Sequence, residues 1–174
     1  MKDPGPRVVL IGAPGAGKSS VGRLLAQALN CMFVDTDTMV EEQVQRTVAD
    51  IFIESGEAHF RELEAKAVAE ALQLSDAVVS LGGGAVLDAR TQAALTGLPV
   101  VWLQVSVDSA VRRVGMQAAR PLLLGNVRSR FVTLLAERAA IYASLATTSI
   151  VTDERTPEEI AEQVQAWLMS RSGT

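Results

Sequence analysis

A glycine-rich segment of eight residues constrains the fold of this chain more than any other part of its sequence. Residues 12–19 read Gly-Ala-Pro-Gly-Ala-Gly-Lys-Ser, which matches every fixed position of the pattern G-x-x-x-x-G-K-[ST]. The apolar run 8–11 precedes the segment, and a helical pattern of apolar residues follows from Lys18 onward. A strand, this loop and a helix in that order indicate an α/β fold. In such a fold the loop's backbone N–H groups surround phosphate oxygens at a helix N-terminus.

The same segment predicts a binding site for a nucleoside triphosphate and its magnesium ion. Lys18 is expected to reach the β- and γ-phosphates, and the Ser19 hydroxyl is expected to be a ligand of Mg²⁺. The alternative is a glycine-rich turn that binds nothing, which the match at all eight positions disfavours. The predicted nucleotide-binding residues of this segment are Gly15, Ala16, Gly17, Lys18, Ser19 and Ser20.

Length and composition favour one domain with an aliphatic core. The chain has 174 residues, of which 48% are hydrophobic and only 4% aromatic. Its net charge of −4 argues against general nucleic-acid binding, and no apolar run approaches the roughly 18 residues that span a bilayer. The N-terminal residues lack the apolar core of a signal peptide, and one cysteine allows no internal disulfide. We expect a cytoplasmic monomer without membrane or nucleic-acid partners.

Strand and helix patterns alternate along the chain. Apolar strand candidates lie at 8–11, 32–35, 77–81, 100–105 and 149–152, which predicts a parallel sheet with helices on both faces. Ligands of such sheets bind beyond the carboxyl ends of the strands.

Two segments interrupt this alternation. The segment at about 36–72 holds more than one helix, and the segment at about 115–127 contains two glycines and a proline between helical stretches. Long insertions of this kind commonly bind substrate or form lids. We expect the first to bind substrate and the second to be a lid, both within a single domain over 1–174.

Two carboxylates follow the second strand, in the sequence Val-Asp-Thr-Asp. Phosphoryl transfer uses one carboxylate to help hold Mg²⁺ and often another to orient or deprotonate the attacking hydroxyl. The usual aliphatic run ending in Asp is missing after the third strand, so elimination assigns the metal role to Asp35, through coordinated water. The alternative is that Asp37 or Thr36 only caps the next helix.

Three consecutive glycines, Gly82, Gly83 and Gly84, follow the third strand. Such a run loses much conformational entropy on folding, which favours a place where a ligand approaches the backbone closely. The alternative is a tight turn from strand to helix.

Arginines are concentrated in residues 112–138, which hold six of them and one acidic residue. Arginine suits bidentate pairing with phosphate or carboxylate. Arg120 is expected to close over the transferring phosphoryl group, whereas Arg128 and Arg130 are expected to be solvated helix charges. Outside this segment Arg61 is flanked by glutamates, and by itself it would be interpreted as part of a surface ion pair.

In this order the motifs resemble those of the shikimate kinase family, over about 8–168. The combination is more specific than the phosphate loop, which many activities share. Its matching stretches are the loop 12–19, Asp35-Thr36-Asp37, 48–52, Gly56-Glu57, Phe60-Arg61 with Glu64, 81–85, Arg120-Pro121-Leu122-Leu123, and Arg138 with Tyr142.

The resemblance implies a nucleoside-monophosphate-kinase-like fold whose five-stranded sheet has the order 2-3-1-4-5. It also implies transfer of the ATP γ-phosphoryl group to the 3-hydroxyl of shikimate. By this resemblance Asp37 contacts the reacting hydroxyl, Arg61, Arg138 and the glycine run hold the substrate, and Arg113 and Arg155 flank the adenine. Competing interpretations are another small-metabolite kinase, such as gluconate kinase, and a non-catalytic nucleotide switch.

Overall fold

The computed structural model describes residues 5–117 and 124–173, in which five strands and eight α-helices alternate. The strands are β1 (Val8–Ile11), β2 (Met32–Asp35), β3 (Ala77–Ser80), β4 (Val100–Gln104) and β5 (Thr148–Val151). The helices are α1 (Lys18–Leu29), α2 (Thr36–Val44), α3 (Val48–Ser55), α4 (Glu57–Ala71), α5 (Ala89–Ala94), α6 (Val107–Gln117), α7 (Leu124–Leu145) and α8 (Pro157–Ser172), with a short 3₁₀ helix at Ala85–Leu87.

All five strands form one parallel sheet in the order β2-β3-β1-β4-β5. The predicted fold class and strand order are thereby confirmed. The central strand β1 is fully buried between β3 and β4, and both of its faces are covered. This explains why its sequence is a continuous apolar run rather than an alternating one.

Two core clusters lie on opposite faces of the sheet. Val8 and Leu10 pack in the cluster that contains α1 and α8 residues, whereas Val9 and Ile11 pack in the cluster with residues of α4 and α7. Successive side chains of a strand point to opposite faces, so one strand contributes to both clusters. The result is the predicted three-layer arrangement, with the phosphate loop leaving β1 at the carboxyl edge of the sheet.

The segment predicted to bind substrate, 36–72, folds as the three helices α2, α3 and α4. They bury a small cluster of their own, which includes Val40, Ile51 and Phe60. Gly56, at φ +82°, separates α3 from α4, consistent with the prediction of more than one helix in this segment. This cluster fixes the start of α4, and Arg61 with it, beside the carboxyl edge of the sheet.

The prediction of an interruption over 115–127 was wrong at its two ends, which are helical. Helix α6 extends to residue 117 and α7 begins at residue 124. Val114 of α6 and Val127 of α7 pack against the core, and burial of such apolar faces outweighs the low helix propensity of glycine. Residues 118–123, with the predicted lid arginine Arg120, lie outside the described residues. Within the described part of the chain, none of the helices combines the length and apolar character needed to cross a membrane.

Candidate active site

The phosphate loop joins β1 to α1 and is shaped by its glycines. A Cβ atom on Gly12, which has φ +149°, would lie 2.5 Å from the carbonyl oxygen of Leu103 in β4. Gly17 has a left-handed backbone at φ +89° and directly precedes the first residue of α1. Side chains larger than hydrogen are therefore disfavoured where the loop turns into the helix, and the loop's N–H groups stay accessible at the helix N-terminus.

Lys18 is held inside this loop. Its Nζ donates hydrogen bonds to the carbonyl oxygens of Gly12 at 2.7 Å and Ala13 at 3.0 Å. Burial lowers the pKa of Lys18 to about 8, although the negative charges of Asp37 and Asp35 oppose that shift. The lysine therefore lies within the electrostatic field of both aspartates.

Asp35 performs two tasks with its two carboxylate oxygens. Oδ1 accepts hydrogen bonds from the backbone N–H groups of Asp37 at 3.0 Å and Thr38 at 3.2 Å, which caps α2. The capping residue is thus Asp35, and the alternative that Asp37 or Thr36 caps this helix was wrong. Oδ2 accepts a hydrogen bond of 2.8 Å from the Ser19 hydroxyl, so the two predicted metal ligands are in contact.

The Ser19–Asp35 pair fits a magnesium ion in its chemistry. Both residues offer oxygen atoms, the ligand type that Mg²⁺ prefers, and both line the cavity described below. The described residues contain no cluster of three or more His, Cys, Asp or Glu side chains suited to a metal.

Asp37 is the most unusual carboxylate of the site. Its Oδ1 atom is buried and has no hydrogen-bond partner within the described part of the chain. Burial, helped by the nearby charges of Asp35 and Glu64, raises the pKa of Asp37 to about 6, while Lys18 opposes the rise. Most buried polar atoms have partners, so an unpartnered carboxylate oxygen beside a cavity marks a candidate for contact with a reacting group.

Charged side chains pack closely against the backbone of the triple glycine. A Cβ on Gly82 would lie 2.6 Å from Asp37 Oδ1, and a Cβ on Gly84 would lie 2.5 Å from a guanidinium nitrogen of Arg61. A Cβ on Gly83 would lie 2.8 Å from Cδ of Pro14 in the phosphate loop. None of the three has a positive φ, so glycine is required here by close approach and not by backbone conformation.

Arg61 is oriented by two glutamates of its own helix, α4. It pairs with Glu64, three residues on, at 2.8 Å and with Glu57, four residues back, at 3.3 Å. The Glu64 side chain is buried, and burial raises its pKa against the opposing charge of Arg61. Arg61 therefore forms the ion pair that its flanking glutamates predicted, at the surface with Glu57, and it forms a second pair with the buried Glu64.

A cavity of about 360 Å³ lies at this site. Pro14, Gly15 and residues 17–20 of the phosphate loop line it together with Asp35, Asp37, Gly82 and Gly83, whereas Arg61 and Glu64 are not among its lining residues. The cavity thus joins a phosphate-binding surface to a carboxylate-bearing surface, as a transfer between two substrates requires.

Comparison with known proteins identifies the family to which this site belongs. The family model described as shikimate kinase matches residues 14–169. A shikimate kinase of Thermobifida fusca (strain YX) is 54% identical over 159 residues, which cover 91% of this chain and 92% of that protein. The chain belongs to the shikimate kinase family. The activity of the family is the ATP-dependent phosphorylation of shikimate, and the predicted function is confirmed at this level.

Solved structures agree with this assignment. A shikimate kinase from Acinetobacter baumannii in complex with shikimate superposes with a TM-score of 0.89 at 30% identity, covering 98% of this chain and 96% of that one. A gluconokinase from Sinorhizobium meliloti 1021 reaches a TM-score of 0.59 at 19% identity, which shows a shared fold only. The competing interpretation as a gluconate kinase therefore has no support beyond the fold.

The structure brings most of the predicted shikimate kinase site together. Lys18, Ser19, Asp35 and Asp37 line the cavity with Gly82 and Gly83, while Gly84 lies against Arg61. The charge of Arg138 on α7 acts on Lys18 and Glu64, which places this arginine beside the same site.

Of the two arginines expected at the adenine, only Arg113 lines the cavity. Arg113 lines the cavity and donates to the carbonyl oxygens of Gly15 and Thr152, each at 2.9 Å. Arg155 is exposed, bonds to Gln163 of α8 and does not line the cavity. Contact of Arg155 with the nucleotide stays a prediction.

The sequence did not predict the contacts that two buried hydroxyl groups make at the site. Thr36 Oγ1 accepts a hydrogen bond from the Gly82 N–H at 3.1 Å, and Tyr142 Oη donates to the Gly83 carbonyl at 2.6 Å. The sequence separations are 46 and 59 residues, so no local pattern reveals either contact.

Proposed function

We propose that this shikimate kinase transfers the γ-phosphoryl group of ATP to the 3-hydroxyl of shikimate, giving shikimate 3-phosphate and ADP, in the biosynthesis of aromatic amino acids. The observation that carries the proposal is the unpartnered Asp37 Oδ1, which lies beside the phosphate-loop lysine and against the triple glycine. This carboxylate is available to a hydroxyl group that enters the cavity.

On the nucleotide side the phosphate loop binds the triphosphate through its backbone N–H groups and Lys18. Ser19 and Asp35 would hold a Mg²⁺ ion, Asp35 through water, and the bound ion would neutralise charge on the β- and γ-phosphates. Arg120 would complete the positive surface around the transferring group. Arg113, which lines the cavity beside the loop, is the better supported of the two adenine contacts, and Arg155 is the weaker.

On the acceptor side, shikimate presents one carboxylate and three hydroxyl groups. Arg61 and Arg138 would bind the carboxylate, and Glu64 would keep the Arg61 guanidinium oriented toward it. The N–H groups of the segment 82–84 would bind substrate oxygens. Asp37 would accept a hydrogen bond from the 3-hydroxyl and direct it toward the γ-phosphorus.

The reaction needs positioning more than early deprotonation. Phosphoryl transfer passes through a loose transition state, in which the attacking oxygen carries little negative charge until late. Asp37 would therefore orient the hydroxyl first and take its proton as the new P–O bond forms. Its raised pKa of about 6 suits a group that receives a proton near neutral pH.

The remaining proposals concern the setting of the enzyme. We propose one kinase domain over 1–174, a monomer located in the cytoplasm, with no nucleic-acid or membrane partner. The net charge of −4 and the single cysteine support this setting.

An assay of ADP release tests the proposed function. The purified protein is given ATP and Mg²⁺ with shikimate, gluconate or a nucleoside monophosphate, and the Lys18→Ala variant serves as the control for contaminating kinases. ADP release that depends on shikimate and is lost in Lys18→Ala supports the proposal. Release with gluconate or a nucleotide but not with shikimate would overturn it.

A further inference from the structure

The triple glycine lacks side chains that could anchor it, yet it lies at the centre of the site. Gly82 touches the Asp37 carboxylate and Gly84 touches the Arg61 guanidinium. Glycine is the residue with the most conformational freedom, so three in succession are held in place only by contacts of their backbone. The groups that make those contacts determine where the segment lies.

Two buried hydroxyl groups form hydrogen bonds with the backbone of this segment, one from a residue earlier in the chain and one from a residue later in it. Thr36, which is fully buried between Asp35 and Asp37, accepts the Gly82 N–H. Tyr142, which is fully buried on α7, donates to the Gly83 carbonyl. Buried hydroxyl groups without partners are costly, so both bonds are expected to persist as the site binds and releases ligands.

The Tyr142 bond also sets the direction of a backbone N–H group. The Gly83 carbonyl and the Gly84 N–H belong to one planar trans peptide unit and point in opposite directions. Because Tyr142 holds the carbonyl, the Gly84 N–H is directed away from α7. Among the described residues neither Gly83 nor Gly84 donates its N–H to an acceptor, which leaves both groups for a ligand.

Tyr142 is itself firmly placed. Its ring packs against Trp102 of β4 with centroids 5.7 Å apart, within the core cluster on this face of the sheet. Arg138 lies one helical turn earlier on α7, on the same side of the helix. Tyr142 therefore connects the core to the triple glycine, and its hydroxyl group also interacts with the Arg138 side chain.

We propose that Thr36 and Tyr142 are positioning residues for shikimate, acting through their hydrogen bonds to Gly82 and Gly83. Neither is required to touch the substrate. The inference rests on the proposed function, in which the segment 82–84 and Arg61 bind shikimate.

Equilibrium binding of shikimate and of ATP to the full-length protein, measured separately by calorimetry, tests this inference. The variants are Tyr142→Phe, which removes one oxygen and keeps the ring, Thr36→Val, and Thr36→Ser, which keeps the hydroxyl. Thr91→Val is the matched control, because Thr91 is also buried and its side chain does not line the cavity.

We expect Tyr142→Phe and Thr36→Val each to weaken shikimate binding about 3- to 10-fold, the range for loss of one buried hydrogen bond. ATP binding should change less than about 2-fold, and Thr36→Ser should bind shikimate nearly as the unaltered protein does. Should Thr36→Val fail to fold, Tyr142→Phe decides the matter.

Three outcomes would overturn the positioning role: unchanged shikimate binding in Tyr142→Phe, equal weakening of ATP binding, or the same defect in Thr91→Val. Arg61→Ala separates this failure from failure of the proposed function. If Arg61→Ala loses shikimate binding while the hydroxyl variants retain it, only the positioning role is wrong. If Arg61→Ala also retains it, the proposed substrate site is wrong.

Discussion

Alanine substitutions within the triple glycine should separate the two functions that the segment supports. Gly82 and Gly84 are two residues apart, but Gly82 lies close to the Asp37 carboxylate and Gly84 lies close to the Arg61 guanidinium. We predict that Gly82→Ala lowers kcat, because its methyl group displaces Asp37. We predict that Gly84→Ala raises KM for shikimate instead, because its methyl group displaces Arg61.

The magnitude follows from the contacts. A Cβ on Gly82 would lie 2.6 Å from Asp37 Oδ1 and 2.9 Å from Glu64 Oε2. Ordinary contact begins near 3.4 Å, so the Asp37 carboxylate must retreat by about 0.8 Å. A misplacement of about 1 Å costs on the order of 10²-fold in rate, which is about 2.7 kcal/mol. Neither glycine has a positive φ, so alanine adds no backbone strain to this effect.

For Gly84→Ala the displaced group is the end of a long side chain. The three nearest atoms are the guanidinium carbon and nitrogens of Arg61, at 2.5 to 2.8 Å. Displacing the Arg61 guanidinium strains its bonds with Glu64 and Glu57 and moves it away from the position proposed for binding the substrate carboxylate. We expect KM for shikimate to rise about 30-fold or more, which corresponds to the lower end, about 2 kcal/mol, of the range for a buried charged contact, with kcat reduced less than in Gly82→Ala.

Steady-state kinetics with shikimate and ATP varied in turn gives the comparison. Gly173→Ala is the control, because its Cβ would lie 3.8 Å from its nearest neighbour. Circular dichroism and thermal unfolding verify that each variant is folded. Equal effects of Gly82→Ala and Gly84→Ala on kcat and KM, or normal kinetics in either, would refute the assignment of Asp37 and Arg61 to these two positions.

Further predictions concern the charged residues. Lys18→Ala should lower kcat by at least about 10²–10³-fold, because the transferring group loses its fixed cation, and normal turnover would contradict the phosphate-loop assignment. Ser19→Ala should need more magnesium for half-maximal activity, and a magnesium titration measures the shift. Arg61→Ala or Arg138→Ala should weaken shikimate binding by about 2–5 kcal/mol while sparing ATP; equal losses for both substrates would assign these arginines to another role. Folding raises the pKa of Asp37 from 3.8 to about 6, so the folded state binds this proton more tightly and stability falls as pH rises through that range. Asp37→Asn should therefore be more stable than the unaltered protein by about 1–3 kcal/mol at pH 7 and by little near pH 4 in urea unfolding, and lower stability at pH 7 would contradict the pKa shift.

The sequence predicted the sheet well because its signals are local. The apolar run 8–11 and the phosphate loop after it determine a strand, a turn and a helix within some twenty residues. The stop at Gly56 was also predictable, since a left-handed backbone favours glycine. Likewise the glutamates that flank Arg61 predicted an ion pair, and the structure contains such pairs with Glu57 and Glu64.

The parts of the site that were not predicted depend on distant segments. The cap of α2 is a separate case, because three adjacent polar residues could each have capped the helix. The backbone geometry shows that Asp35 is the capping residue. Close approach of a ligand to the glycine run stays a prediction, and the sequence did not indicate that side-chain atoms of Asp37, Arg61 and Pro14 lie close to it. The contact of Tyr142 with Gly83 exists only because α7 packs across the sheet.

The division of labour between Asp35 and Asp37 is the central claim, and one titration tests it. Phosphorylation of shikimate by Asp37→Asn and by Asp35→Asn is measured across a wide range of magnesium concentration. We predict that Asp37→Asn is slowed roughly 10²–10⁴-fold at every magnesium concentration, with little change in shikimate affinity. Asp35→Asn should instead regain much of its activity as magnesium rises. Full recovery of Asp37→Asn at high magnesium, with no recovery of Asp35→Asn, would show that the two roles are reversed.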